Sequence, residues 1–329
     1  MIIFDERDVR SLYPMKESIE SMRAALRSFS AGAVIQPQRL MLRTPEGDAY
    51  AVMPSYVGPS ADAPDAGFGI KVIAVKPGNP ARGLPVNAGL VMVFDAGTGR
   101  PAALLDGAAV TAIRTAAASA AATDLLARPD AGVLAILGAG VQARSHLAAM
   151  AEVRTLREAR VWSRTPARAA AFAAAAGELP FPVTAAASPA AAADGADLVC
   201  TVTGSVTPLL DAPHIAPGAH VNAVGSSFPD KRELTADLVA RCAVFVDGRR
   251  AALAEAGEIV IPVAAGRFGP EVIRAEIGEL LLGRAAGRRD PGEITLFKSL
   301  GIAVEDAVAG LHIARRAREL GRGRDVPFG

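Results

Sequence analysis

The sequence feature that most constrains the fold is an apolar run that ends in a glycine turn and continues as a helix. Residues 133–137 read Val-Leu-Ala-Ile-Leu, which is typical of a strand buried on both faces. The turn reads Gly-x-Gly-x-x-Ala over residues 138–143, and residues 144–153 place apolar side chains on one helical face. Strand, glycine turn and helix in this order predict a dinucleotide-binding site. An ordinary strand-to-helix turn is the alternative interpretation.

Each small residue of this turn has its own role in the prediction. Gly138 permits the tight turn, Gly140 lets the backbone approach a pyrophosphate, and Ala143 allows the helix to pack closely on the strand. The helix N-terminus offers N–H groups and partial positive charge to the phosphates. The residues expected to contact the nucleotide at this turn are Gly138, Ala139, Gly140, Val141 and Gln142.

Composition and charge narrow the class of protein. The chain has 329 residues, of which 51% are hydrophobic and 21% charged, so we expect a globular protein with room for two domains. A net charge of +1 gives no overall attraction to nucleic acid or to a membrane. Cys200 and Cys242 lie in apolar runs without C-x-x-C spacing, and no apolar segment has membrane-spanning length. The first residues lack the pattern of an export signal, so we expect a cytoplasmic protein.

The order of the predicted elements indicates the fold class. Strands and helices alternate from residue 133 to about 250, which predicts an α/β, Rossmann-type, doubly wound parallel sheet. The first hundred residues predict a smaller α+β domain, with a hairpin over residues 38–58. A helix over 107–126 connects the two parts, and a long helix begins near Gly301.

The end of the second strand of the predicted parallel sheet suggests which nucleotide binds. An NAD site usually has Asp or Glu at this position for the ribose hydroxyl, whereas Arg accommodates a 2′-phosphate. The sequence has Ser163, Arg164 and Thr165 there, with Arg168 one helical turn later. These residues favour NADP(H), with NAD(H) possible, and solvated arginines on a loop are the alternative.

Two further strand ends carry small and hydroxyl side chains. Thr203 follows the fourth strand, and Val224, Gly225, Ser226 and Ser227 follow or end the fifth. Because ligands bind at the carboxyl ends of parallel strands, we expect these residues to line the nicotinamide. Hydroxyl groups that cap the following turns are the alternative.

Three cations of the first domain predict an anion site. Lys71 lies in an apolar strand, where an unpaired ammonium would be costly to bury. Arg43 ends the first hairpin strand, and Arg114 interrupts an apolar helix. Together they could bind a substrate carboxylate, while an edge-strand or surface role is the alternative. Tyr56 and Asn87 are candidates for the substrate side-chain pocket, in loops at about 54–68 and 79–88.

Other common catalytic arrangements are not found in the sequence. The four histidines lack metal-ligand spacing, so we expect them to be structural and expect no metal. There is no G-x-S-x-G sequence and no arrangement that suggests a nucleophilic triad.

With these residues assembled, the chain resembles the ornithine cyclodeaminase/mu-crystallin family over nearly its whole length. The resemblance rests on several stretches together, none of which is specific alone. They are Gly69–Lys71, Thr111–Ala117, Gly138–Ala143, Val224–Leu234 and Thr295–Gly301.

The resemblance implies a homodimer in which each chain has three segments, the last of which returns to the first domain. Residues 1–118 would form a substrate-binding and dimerisation domain, 119–303 the dinucleotide-binding domain, and 304–329 a helix that returns to the first domain. It implies that Arg43, Lys71 and Arg114 hold the substrate carboxylate. It also places Glu255 near the nicotinamide, and a solvated helix end is the alternative for that residue.

One position distinguishes the branches of the family. Cyclodeaminases have an Asp two residues before the proline of the loop after the fifth strand, where it acts as a base. This sequence has Ser227 there, and a hydroxyl without a partner base cannot move protons at neutral pH. Asp230 lies beyond the proline, where the family places it facing away. Ser227 therefore resembles the ketimine reductase branch.

These observations predict an NAD(P)H-dependent reductase of α-imino acids, which run in reverse would be an amino-acid dehydrogenase. Lys71, or a water held by Ser227, is the candidate proton relay, and Arg114 is placed with them in the catalytic set. An ornithine cyclodeaminase that releases proline and ammonia is the first alternative. A non-catalytic protein that binds NADPH or a small ligand is the second. The expected partners are a small imino or amino acid and a second copy of the chain, without nucleic acid or membrane.

Overall fold

The structure is a computed structural model that describes residues 1–59 and 65–327. Residues 60–64 of the predicted pocket loop at 54–68 lie outside the described residues. The chain forms two compact units: unit 1 runs from Met1 to Arg114 and resumes at Gly301, and unit 2 runs from Thr115 to Leu300.

Unit 1 begins with a strand and two helices and continues with antiparallel strands. Its elements up to residue 106 are β1 (Ile2–Phe4), α1 (Glu6–Leu12), α2 (Met15–Ser30), β2 (Val34–Ile35), β3 (Leu40–Arg43), β4 (Ala49–Val57), β5 (Gly67–Val75), β6 (Asn87–Asp95) and β7 (Pro101–Asp106). The helix α3 (Gly107–Leu126) continues from unit 1 into unit 2.

Unit 2 alternates strands with helices. In chain order its elements are β8 (Val133–Leu137), α4 (Val141–Val153), β9 (Glu158–Trp162), α5 (Pro166–Ala174), β10 (Val183–Ala185), α6 (Pro189–Ala193), β11 (Leu198–Thr201), β12 (His220–Ala223), α7 (Ala236–Arg241), β13 (Ala243–Val246), α8 (Arg249–Glu255), α9 (Gly257–Ala264), β14 (Ile273–Glu276), α10 (Ile277–Leu281) and β15 (Thr295–Lys298). The chain then returns to unit 1 through α11 (Ala303–Glu319) and β16 (Arg324–Asp325).

The sheet of unit 1 is mixed. Within the described residues its strand order is β16-β1-β7-β6-β5-β4-β2, and β3 pairs with β4 in the predicted hairpin. Helices α2 and α11 pack together, and α11 lies against β4, β5 and β6. One face of this sheet is therefore covered by helix. The other face carries exposed apolar side chains such as Leu42 and Leu90.

Small residues bring α11 unusually close to β5. A Cβ atom at Gly69 would lie 2.6 Å from the Cβ of Ala307, so only glycine fits at this point of the strand. A Cβ atom at Gly310 would likewise lie 2.7 Å from Cγ1 of Val93 on β6. The residues of α11 next to Ala307 are thereby placed beside the centre of β5.

Unit 2 confirms the predicted Rossmann-type fold. Its strands are all parallel within the described residues and follow the order β10-β9-β8-β11-β12-β15-β13-β14. The strand order reverses between β8 and β11, which is where such sheets bind ligands. The prediction missed β14 and β15. Residues 294–299 are apolar and run straight towards a helix, so the sequence suggested only a lead-in.

Local signals in unit 2 account for the start of α6. Ser188 caps α6 by accepting a hydrogen bond from the Ala191 backbone N–H at 3.0 Å, and Pro189 occupies the first helical position.

Among the helices of the described chain, none combines the length and the apolar composition that crossing a bilayer requires.

Candidate active site

The glycine turn of unit 2 has the geometry that a pyrophosphate needs. Gly138 has φ +123°, and a Cβ atom there would lie 2.8 Å from the carbonyl oxygen of Val202, so a side chain is excluded. Gly140 precedes α4 as its N-cap without a side-chain cap, and no atom lies within 4 Å of the position that its Cβ would occupy. Ala143 is fully buried on the first turn of α4. The open space above the helix N-terminus fits a phosphate group.

The loop between β9 and α5 offers positive charge and no carboxylate. Arg164 and Arg168 are exposed, and neither forms an ion pair with any described residue. Thr165 is the N-cap of α5, and its backbone N–H donates to the Ser163 hydroxyl at 3.3 Å. This arrangement can accommodate a 2′-phosphate on the ribose.

The ends of β11 and β12 are joined by a buried glutamate. The Glu233 Oε1 atom accepts from the Thr203 backbone N–H at 2.7 Å and from the Thr203 hydroxyl at 2.6 Å, and its Oε2 atom accepts from the Gly225 N–H at 2.9 Å. The Thr203 hydroxyl is therefore engaged within the fold, and it also accepts from the Ser205 backbone N–H at 3.1 Å. A Cβ atom at Gly225 would lie 2.1 Å from the Thr203 carbonyl oxygen, so glycine is needed for the two strand ends to meet.

A second carboxylate and a lysine complete this arrangement, which we call the Lys298 network (Glu233, Glu258 and Lys298). The Lys298 Nζ atom lies 3.0 Å from Glu258 Oε2 and donates to the carbonyl oxygen of Ser226. Glu258 Oε1 accepts from the Glu233 backbone N–H at 2.8 Å. All three side chains are fully buried, and burial raises the pKa of Glu233.

The other residues predicted near the nicotinamide follow β12 or end α8. Ser226 is buried, and its hydroxyl donates to the Lys231 carbonyl oxygen, so that hydroxyl serves the loop. Val224 and Ser227 are half-buried at the end of β12, and Glu255 is half-buried at the end of α8. Asp230 is exposed.

Unit 1 contains a second buried charge group, which we call the Lys71 cluster (Lys71, Arg114, Glu305 and Asp306). The Lys71 Nζ atom lies 2.6 Å from Asp306 Oδ2, and Arg114 Nε donates to Asp306 Oδ1 at 2.9 Å. Arg114 Nη1 donates to Glu305 Oε2 at 2.8 Å. Each of the four side chains is at most 5% exposed. Two predicted cations, 43 residues apart in sequence, are thus brought together by two carboxylates of α11.

The cluster changes the proton affinity of its members. Burial, with the neighbouring Arg114 charge, lowers the pKa of Lys71 to about 8, and Asp306 opposes that shift. Burial also disfavours the charged form of Asp306, but Arg114 and Lys71 outweigh it and lower the pKa of that carboxyl. Asp306 and Glu305 likewise raise the pKa of Arg114 against the effect of burial. The cluster therefore holds Lys71 near its protonation midpoint at mildly alkaline pH.

Sequence reasoning missed Arg39, which the register places closer to Lys71 than Arg43. Met53 pairs with Lys71, and Leu40 pairs with Val52, so Arg39 precedes β3 at the level of Met53 and Lys71. Its charge also lowers the pKa of Lys71. Arg43 pairs with Ala49, opposite Val75, four residues farther along β5, and is exposed. At about 3.3 Å per residue, the row of Arg43 lies about 13 Å from the row of Lys71. The role of Arg43 remains a prediction.

The two residues predicted for the substrate side chain are separated by the sheet. Tyr56 is 39% exposed, whereas its neighbours Ser55 and Val57 are buried, so Tyr56 lies on the face opposite Lys71. The structure therefore does not bring Tyr56 to the Lys71 cluster of the same chain. Asn87 pairs with Val75 at the exposed end of β6, on the same face as Lys71.

Other titratable groups fit structural roles. His146 and His220 are fully buried, and burial lowers their pKa values to about 4 and about 3. Cys200 and Cys242 are buried free thiols whose pKa values burial raises to about 12. Within residues 1–59 and 65–327, no group of three or more His, Cys, Asp and Glu side chains could hold a metal ion.

A Rossmann-type unit with an open glycine turn and a second unit with a buried lysine–arginine cluster define a nucleotide-dependent oxidoreductase. Comparisons with known proteins agree with that class. The model of the ornithine cyclodeaminase/mu-crystallin family matches residues 2–320, and the chain belongs to this family.

Three known proteins show the extent of the similarity. The chain is 37% identical to a Delta(1)-pyrroline-2-carboxylate reductase of Bacillus cereus over 100% of both chains. It is 37% identical to the ketimine reductase mu-crystallin of Macropus fuliginosus over 92% of both. The structure of the Thermococcus litoralis Delta(1)-pyrroline-2-carboxylate reductase in complex with NADH and L-proline has a TM-score of 0.95, with 34% identity over 99% of this chain and 100% of that one. The predicted family is confirmed. The predicted enzyme class, an NAD(P)-dependent oxidoreductase acting on CH-NH or C=N bonds, is also confirmed, and the similar reductases act on C=N bonds.

Proposed function

We propose that this protein reduces small α-imino acids, cyclic or open-chain, to the corresponding amino acids at the expense of NAD(P)H. The observation that carries the proposal is the Lys71 cluster. Lys71 and Arg114 are buried beside one another, and Lys71 contacts a single described carboxylate, that of Asp306. A substrate carboxylate could accept from the remaining ammonium N–H donors.

Lys71 has the properties of the proton donor. Reduction of the C=N bond needs a hydride at carbon and a proton at nitrogen, after which the π bond is lost and an amine remains. The reduced nicotinamide, when bound, supplies the hydride. A pKa of about 8 leaves the Lys71 ammonium mostly protonated at neutral pH and able to release its proton. Its ammonium has three N–H donors, and Asp306 is the one described carboxylate that it contacts.

The residues of unit 2 would hold the nucleotide. Gly138 and Gly140 leave room for the pyrophosphate, and the exposed Arg164 and Arg168 favour NADP(H) over NAD(H). The Lys298 network keeps the backbone at Thr203 and Gly225 in place, where the carboxyl ends of the strands would line the nicotinamide. A cytoplasmic location is part of the proposal, and the buried free thiols Cys200 and Cys242 support it.

A substrate panel tests the function. Pyrroline-, piperideine- and open-chain 2-imino acids are offered with NADPH and separately with NADH, and consumption of the reduced nucleotide is followed by absorbance. We expect turnover with at least one imino acid and a higher kcat/KM with NADPH. A second assay offers ornithine with catalytic NAD+ and tests the alternative function. Formation of proline and ammonia without net redox change would show a cyclodeaminase instead. Tight NADPH binding without turnover on the whole panel would show a binding protein.

We infer that the assembly is a homodimer formed through the exposed face of the unit 1 sheet. Leu40, Val52, Val72 and Leu90 form one cross-strand row on that face, and Leu40, Val72 and Leu90 are 59%, 47% and 50% exposed. Contiguous apolar area of this kind is typical of an interface. Val72→Glu should give a monomer in sedimentation velocity, and Leu179→Glu, at an exposed apolar residue of unit 2, should not. A monomeric wild-type chain would contradict the inference.

A further inference from the structure

The C-terminal helix contributes a carboxylate that connects the two buried cations of unit 1. Asp306 uses one oxygen for each cation: Oδ2 lies 2.6 Å from Lys71 Nζ, and Oδ1 accepts from Arg114 Nε at 2.9 Å. The adjacent Glu305 contacts Arg114 at 2.8 Å and also accepts from the Ile302 backbone N–H. Both neighbouring carboxylates contact Arg114, but of the two only Asp306 contacts Lys71.

We propose that Asp306 is a positioning residue that fixes the Lys71 ammonium in the site and keeps it protonated. The proposal deepens the function above, on which it rests for the role of Lys71 as proton donor.

The packing of α11 makes this contact part of the fold. Gly69 lies two residues before Lys71 on the same face of β5, and Ala307 directly follows Asp306. Because a Cβ atom at Gly69 would lie 2.6 Å from the Cβ of Ala307, the strand and the helix approach each other at this point more closely than side chains would allow. The short distance between the two backbones places the short aspartate side chain within reach of Lys71.

The charges around Lys71 explain why it needs this carboxylate. Arg114 on α3 and Arg39 before β3 both disfavour the ammonium, as does burial. On α11, Asp306 favours it, while Glu305 lies against Arg114. The phenol of Tyr13 is buried near Arg114 and Glu305, and burial raises its pKa, so it stays neutral. Met53 and Val91, the strand neighbours of Lys71, carry no charge. Without Asp306, burial, Arg114 and Arg39 would all still lower the pKa of Lys71.

The test measures the Lys71 ammonium itself, without substrate or nucleotide. The lysines of the chain are Lys16, Lys71, Lys76, Lys231 and Lys298. With lysine labelled by 13C at Cε, each methylene signal can be titrated by NMR and Lys71 assigned from Lys71→Arg. We expect Asp306→Asn to lower the titration midpoint of Lys71 by about two pH units. The matched control Glu305→Gln, which removes the same charge one residue earlier, should lower it by less than half as much.

The outcomes separate this proposal from the proposed function. An unchanged Lys71 midpoint in Asp306→Asn, or equal shifts in the two variants, would overturn the role of Asp306 whether or not the protein reduces imines. If the function holds, the alkaline limb of kcat/KM should move to lower pH by the same amount as the NMR midpoint. Should Asp306→Asn fail to fold, Asp306→Glu keeps the charge but displaces it: the midpoint should stay within about half a unit of wild type while kcat falls at least tenfold. A shifted midpoint with unchanged kcat would contradict the proposal.

Discussion

The Lys71 cluster of unit 1 and the Lys298 network of unit 2 are both buried groups of carboxylates and cations, yet their partners differ. In the Lys298 network, backbone N–H groups of Thr203, Gly225 and Glu233 donate to the carboxylates, and the lysine donates to a backbone carbonyl oxygen. In the Lys71 cluster, the described partners of Lys71 and Arg114 are side chains. The first arrangement holds loops in place, whereas the second leaves donors for a ligand.

The ratio of carboxylates to cations also differs between the Lys298 network and the Lys71 cluster. The Lys298 network has two carboxylates for one cation, and its raised Glu233 pKa shows the cost of burying them. The Lys71 cluster has two carboxylates for two cations, with Arg39 as a third cation nearby. Burial of charge alone therefore does not indicate a substrate site. What distinguishes the two is the ratio of carboxylates to cations, which is two to two in the Lys71 cluster, and the absence of backbone partners for Lys71 among the described residues.

The largest expected difference is between the two buried lysines. Lys71→Met should lower turnover by about 10²–10⁴-fold, because the proton donor is lost, while Asp306 remains paired with Arg114. Lys298→Met leaves Glu258 and Glu233 buried without a cation and should cost about 3–5 kcal/mol of unfolding free energy. Steady-state kinetics measures turnover and urea unfolding measures the free energy of unfolding for each variant.

The control for both variants is Lys76→Met, which removes a partly exposed lysine just after β5. It should change turnover and stability little, because its ion pair with Asp48 is at the surface. Near-normal turnover in Lys71→Met, or a stability loss as large as that of Lys298→Met, would contradict the difference between the two regions.

Local sequence signals predicted the strand, glycine turn and helix of unit 2, because such elements depend on neighbouring residues. The rule that an apolar strand does not bury an unpaired cation also selected Lys71. The same rule would also have selected Lys298, which ends the buried strand β15. The partners of Lys71 and Arg114 were out of reach, since Asp306 lies 192 residues after Arg114 and no local pattern connects them.

Strand register accounts for the other differences between the predicted site and the structure. Arg39 and Arg43 are four residues apart and share a face of the hairpin, so the sequence could not decide which one lies level with Lys71; the pairing of β3, β4 and β5 does. Tyr56 has the opposite parity to Met53, which pairs with Lys71, and thus lies on the other face. A shift by one residue reverses every side chain, so site residues on strands need the register and not only the composition.

A smaller difference between the units should appear in the dependence of stability on acidic pH. Burial lowers the pKa of His146 in unit 2 from 6.5 to about 4, so the unfolded chain binds more protons between these values. Its contribution to stability is present above pH 6.5 and is lost as the pH falls towards 4, by about 3 kcal/mol at pH 4.5. Asp306 in unit 1 has a lowered pKa, so its contribution is lost only below its unfolded value of 3.8.

Unfolding in urea at pH 7 and pH 4.5, followed by the fluorescence of Trp162, reports on this effect in unit 2, because Trp162 is the single tryptophan of the chain. His146→Gln should reduce the loss of stability between the two pH values, even if it lowers stability at pH 7 through the hydrogen bonds with Gln142 and Ser119. The same pH dependence in the variant would assign the effect to other groups, of which the fully buried His220 is the first to test.

Two glycines with different surroundings give a further difference between the units. At Gly301 in unit 1, φ is +73° and a Cβ atom would lie 2.3 Å from Arg114 Nη1, so Gly301→Ala should cost about 1–3 kcal/mol of stability and raise the KM for the imino acid by displacing the guanidinium. At Gly140 in unit 2, a Cβ atom meets nothing within 4 Å, so Gly140→Ala should change stability by less than about 0.5 kcal/mol. Its methyl group would instead occupy the space that the pyrophosphate needs and weaken nucleotide binding about tenfold, which is about 1.4 kcal/mol. Calorimetric titration with NADPH measures that change, and unaltered affinity would show that the phosphates do not bind over Gly140.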